Sequence, residues 1–125
     1  MTIKYFRDEN LQRKVDEIVR TLELGHVNLP HVICVRSRGS ASRNTLARCH
    51  ALGKIWHTAL NTKAYYVIEI ISERFDKLDE EDKTKTIIHE LLHIPKSFGG
   101  GFRHHNVVNG KAVDIFYEKY MHRKK

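Results

Sequence analysis

Residues 79–95, DEEDKTKTIIHELLHIP, constrain this chain's fold more than any other stretch. Asp79, Glu80, Glu81 and Asp82 suit the positive end of a helix dipole, and Ile87, Ile88, Leu91 and Leu92 recur at helical spacing before Pro95 forces a stop. On the helix so predicted, His89 and His93 lie one turn apart on one face, and both imidazoles can address one ion. Two ligands do not hold Zn²⁺ firmly. A catalytic zinc usually takes three protein ligands and leaves a fourth position for water, so the chain has to return to this face.

The following IPKSFGGGFRHH is suited to such a return. Gly99, Gly100 and Gly101 can take positive φ or let backbone pass close to a metal. Beyond them His104 and His105 each offer a third nitrogen, with a later carboxylate, Asp114 or Glu118, as the lesser alternative. Glu90, next to His89, is directed to the open side of the metal rather than ligating it. Its expected role is general base: it takes a proton from a water whose pKa the metal lowers toward about 7, and delivers it to the leaving amine.

The rest of the chain supplies a scaffold. Over residues 8–24, Leu11, Val15, Ile18, Val19 and Leu22 predict an amphipathic first helix, with Asp8 as N-cap and Gly25 as stop. HVICVRS (31–37) and AYYVIEII (64–71) are rich in β-branched and aromatic residues and read as strands. Between them LARCHALGKIWHTAL, broken by Gly53, is expected to supply a middle strand, giving a three-stranded antiparallel meander. KAVDIFYEKYM (111–121) places Val113, Phe116, Tyr117 and Tyr120 on one face of a last helix. The order helix, three strands, helix, helix predicts an α+β arrangement with helices on one face of a small sheet.

At 125 residues the chain suits one domain over 1–125. No apolar run approaches the roughly 18 residues of a membrane span, and MTIKYFRDEN lacks signal-peptide order, so a cytoplasmic protein with no membrane partner is expected. Cys34 and Cys49 are not spaced as a metal knuckle; if SASR turns a hairpin they face each other across it, although two reduced thiols are the expected state.

HELLHIPKSFGGGFRHH, together with VRSRGSASR and YYVIEIISERFDKL upstream, resembles a family of small archaeal and phage metallopeptidases, and more distantly the SprT-like zincins. The resemblance covers about residues 32–120, with HExxH as its specific part. It implies a minimal zincin fold, a helix and a small sheet in front of the HExxH helix, and a single Zn²⁺. In such relatives the third histidine often follows a proline after the glycine loop; here RHH stands in that place, which aligns His105 with the ligand and His104 with the proline. The implied activity is a zinc-dependent endopeptidase acting on a protein or peptide, with Glu90 catalytic and His89, His93 and His105 on the metal.

The net charge of +7 is segregated: no Asp or Glu occurs between Glu23 and Glu69, where Arg36, Arg38, Arg43, Arg48, Lys54 and Lys63 lie. Arg36, Arg38 and Arg43, with the serines of VRSRGSASR, can grip phosphates, which makes the stretch 36–63 a candidate nucleic-acid contact. A metal-dependent nuclease, or a non-catalytic nucleic-acid-binding module with a structural metal, are the rival readings. His50, His57, Trp56, Tyr65 and Tyr66 read as packing or surface residues of the sheet. Arg103, Tyr117 and Tyr120 are the candidates to stabilise an oxyanion.

Overall fold

The computed structural model describes residues 2–105 and 107–124. Along the chain the elements are β1 (Lys4–Arg7), α1 (Glu9–Thr21), β2 (Val32–Arg38), β3 (Ala47–Ala51), α2 (Lys54–Ala59), β4 (Tyr66–Ile71), α3 (Ser72–Phe75), α4 (Glu80–Leu92) and α5 (Gly110–Lys124), with a 3₁₀ turn at Leu29–His31. The class is α+β, and the sheet has four strands in the order β1-β2-β4-β3. β1 runs antiparallel to β2 and β3 antiparallel to β4, whereas β2 and β4 are parallel.

This corrects the expected three-stranded antiparallel meander in three respects. The segment expected in the middle, β3, is at the edge; β4 sits between it and β2; and β1 adds a strand that sequence reading missed. Burial explains the order. β4 is buried at five of its six positions, as suits a strand covered on both faces, whereas β3 carries the half-exposed Arg48 and exposed His50. The connection over residues 39–46 is long enough to cross the end of β4, so sequential strands need not be neighbours. β1 escapes detection because all four residues are exposed and present no apolar alternation.

One face of the sheet builds the core. Val32, Cys34, Ala47, Tyr66, Ile68 and Ile70 share that face by register, and on it pack Val15, Ile18 and Val19 of α1, Ile87, Ile88 and Leu91 of α4, and Val113 and Tyr120 of α5. Asp8 caps α1 by accepting from Leu11 N–H at 3.0 Å, and Asp79 caps α4 by accepting from Asp82 N–H at 2.8 Å. The first helix stops before Gly25: Glu23 takes the left-handed turn at φ 55° while Leu24 N–H reaches back to Val19 O.

Cys34 and Cys49 are both opposite Ile68, one on each side of β4. Two strand spacings separate them by about 10 Å, beyond disulfide reach. Both thiols are free, and burial pushes each up to about 12.

Candidate metal centre

His89 and Glu90 occupy the last turn of α4 and His93 is its C-cap, so the helix ends within the constellation. Its terminus is tied to the returning chain. Arg103 N–H donates to His93 O at 2.8 Å, and His93 Nδ1–H donates to Arg103 O at 2.7 Å. The second bond fixes the ring: with Nδ1 carrying the proton, Nε2 is left as a bare lone pair. That Nε2 lies 3.2 Å from His89 Nε2, close to the separation of about 3.3 Å that two nitrogens acquire on one tetrahedral zinc.

His105 completes the cluster. Its ring centroid is 4.6 Å from that of His93 and 5.4 Å from that of His89, and one nitrogen from each of the three rings lies within 4.8 Å of the others. His104, its neighbour, lies outside this convergence and lines the adjoining cavity. Burial, with His93 and His105 nearby, lowers the His89 pKa. Three imidazoles whose nitrogens converge on one point are a donor set suited to a borderline-soft divalent cation.

The return loop is held by a side chain that sequence reading placed among packing residues. Tyr66, fully buried on β4, accepts from Gly100 N–H at 3.0 Å and donates to Gly101 O at 2.8 Å. Phe98 and Phe102 meet its ring edge-on at 5.0 and 6.2 Å. Gly100 has φ +98°, and a Cβ there would sit 3.2 Å from His57 Cε1; His57 is itself fixed by donation from Nε2 to Leu52 O at 2.9 Å. The position therefore calls for glycine. A signal for Tyr66 existed only in its being a hydroxyl on the most apolar strand, which implies a partner.

Glu90 is buried, with its carboxylate 4.0 Å from His89 Nε2. Burial pushes its pKa up to about 8, against the Cys49 backbone N–H, which favours the anion. That N–H belongs to the free edge of β3. Leu46 and Leu52, flanking the strand, bond across to Ile71 and Tyr65, so by antiparallel alternation 48 and 50 also face β4 while Ala47, Cys49 and Ala51 turn their N–H and C=O outward.

Two cavities follow this edge, of about 580 and 620 Å³. His89, Glu90 and His105 line both and mark their junction. Of the three oxyanion candidates only Arg103 lines either cavity. Tyr120 is buried elsewhere, donating to Glu17 at 2.6 Å and accepting from Lys14 at 3.1 Å, and Tyr117 packs on the core under Lys85. Asp114 is engaged by Lys85 at 3.1 Å.

The basic stretch is not a uniform surface. Arg36 is committed internally, donating to Asp8 at 2.6 Å, Asp76 at 2.9 Å and Ser72 at 3.2 Å, so it is no free phosphate fork. Arg38 and Arg43 are exposed, Arg38 over the Phe6 ring.

The arrangement defines an α+β protein with a three-histidine candidate metal site opening on a sheet edge. Residues 3–121 match the family described as "Putative phage metallopeptidase", and the chain belongs to that family. No curated protein and no solved structure matches the chain. No helix among the described residues is long and apolar enough to cross a membrane.

Proposed function

We propose that this chain is a zinc-dependent endopeptidase, a single zincin-like domain in which His89, His93 and His105 hold one Zn²⁺ and Glu90 is the general base. The observation that carries the reading is the convergence of three imidazoles beside a buried carboxylate, on a groove along an unpaired strand edge. When bound, the ion would polarise the scissile carbonyl and acidify a water. Glu90 takes that water's proton and passes it to the leaving amine, a role its burial and raised proton affinity suit. The outward N–H and C=O groups of Ala47 and Ala51 bind the substrate main chain in extended form, with little demand on its side chains. Arg103, anchored through its own backbone to His93, steadies the charge developing on the carbonyl oxygen.

The test is metal content by elemental analysis of wild type, His105→Ala and His104→Ala, beside casein, RNA and DNA hydrolysis with and without chelator. About one zinc per chain, lost with His105 and kept with His104, with chelator-sensitive cleavage of casein alone, is the expected result. Zinc-free wild type after reconstitution, or cleavage of nucleic acid in place of casein, would overturn it.

A further inference from the structure

Glu69 occupies a costly place. It sits on the central strand at 3% exposure, and a carboxylate is almost never buried so deeply without partners. Two of its partners come from the edge: His50 Nε2 at 2.7 Å and Arg48 at 3.5 Å. Burial works against the Glu69 anion, but Ser37, His50 and Arg48 outweigh it and hold the pKa below the ordinary range. Arg48 is directly opposite Glu69 in register, and His50 is two residues further along the same face. Both side chains remain accessible, at 42% and 52%. The carboxylate is thus sealed inside while the two basic groups it fixes stand at the groove.

The groove is polarised accordingly. The end beyond the histidines is lined by Arg48, His50, Arg103 and His104, with Glu90 its single carboxylate among the described residues. The opposite end carries Asp82 and Asp114 around Lys85. A chain paired with β3 alternates its side chains, so two of its residues spaced two apart come opposite Arg48 and His50 on one face.

We propose that Arg48 and His50 form a specificity site that selects acidic side chains at alternate positions of the substrate, on one side of the scissile bond. The inference rests on the edge-strand peptidase reading above. Charge-assisted hydrogen bonds to carboxylates supply the preference, and the bonds to Glu69 reduce the freedom the two donors lose on binding.

The experiment compares two fluorescein-labelled peptide pools, one with Glu and the other with Gln at alternate positions. Cleavage by the zinc-loaded wild type is followed by mass spectrometry, and binding by anisotropy on zinc-loaded Glu90→Gln, which needs no turnover. The Glu pool should be cut and bound better by roughly fivefold or more, with Glu enriched at i and i+2 on one side of the cut. Arg48→Gln with His50→Gln should raise KM for the Glu pool to that of the Gln pool. Equal binding of the two pools, or equal loss on both in the double variant, overturns the proposal. Absence of cleavage with the Glu-pool preference intact in binding would overturn the peptidase reading and uphold the acidic site.

Discussion

At the scale of single residues, Glu90 gives the protein a pH dependence with a definite sign. Its carboxyl ionises near the ordinary 4.5 when unfolded and near 8 when folded, so between those values the folded state binds the extra proton. Stability of the metal-free protein should therefore fall as pH rises from about 4.5 through 8. His89 tilts the curve the other way below its unfolded pKa, because its folded form resists protonation. The difference between wild type and Glu90→Gln in urea midpoints across this range isolates the carboxyl; equal slopes would remove its assigned burial. Tyr66→Phe removes one donor and one acceptor from the glycine loop without changing the packing, and should cost about 1–3 kcal/mol in urea unfolding. It should also weaken retention of the zinc proposed for this site, because His105 stands at the end of the segment that Tyr66 holds; unchanged zinc affinity would confine Tyr66 to packing.

At the scale of elements, the local signals were legible and the pairings were not. The spacing of Val15, Ile18 and Val19, the cap at Asp8, the acidic opening of α4 and the Val113–Tyr120 face of α5 are set within a turn or two of chain, where helical periodicity speaks directly. His89 and His93 on one face are legible for the same reason. Which of His104 and His105 joins the cluster depended on a loop whose course is fixed by Tyr66, 34 residues before Gly100, and no local pattern records that. The strand order likewise depended on β4 being the most buried strand, a comparison among distant segments. Arg48, His50 and Glu69 read as unremarkable separately because only the register brings them together. The loop itself makes a prediction: Gly100→Ala places a side chain at φ +98° and against His57, and should cost about 1–2 kcal/mol in urea unfolding. A neutral result would show that the backbone there relaxes freely.

At the scale of the whole molecule, Arg36 ties three elements together by polar contacts at the rim of the core they share. From β2 it reaches Asp8 at the start of α1 and Ser72 and Asp76 around α3, with its side chain 15% exposed. Arg36→Ala leaves two carboxylates without their partner and should lower stability by about 2 kcal/mol, read as a shift of the urea midpoint. Nucleic-acid affinity, if the chain has any, should not follow that change, because the guanidinium is already occupied; a selective loss of binding with intact stability would restore Arg36 to the basic surface.

The outward N–H and C=O groups of β3 also bear on how the protein behaves when concentrated. An unpaired ladder invites a second copy of itself, and most sheets cover or blunt theirs. Two β3 strands meeting antiparallel with Ala47 of each copy opposite Ala51 of the other, Cys49 N–H staying with Glu90, would set Arg48 of each copy against His50 of the other, while Glu69, sealed behind them, lies beyond the partner's reach. The Arg48 guanidinium groups of the two copies, brought onto one face of the joint, resist that pairing, and salt weakens the resistance. Self-association of this protein should therefore grow with ionic strength, the reverse of a contact held by ion pairs.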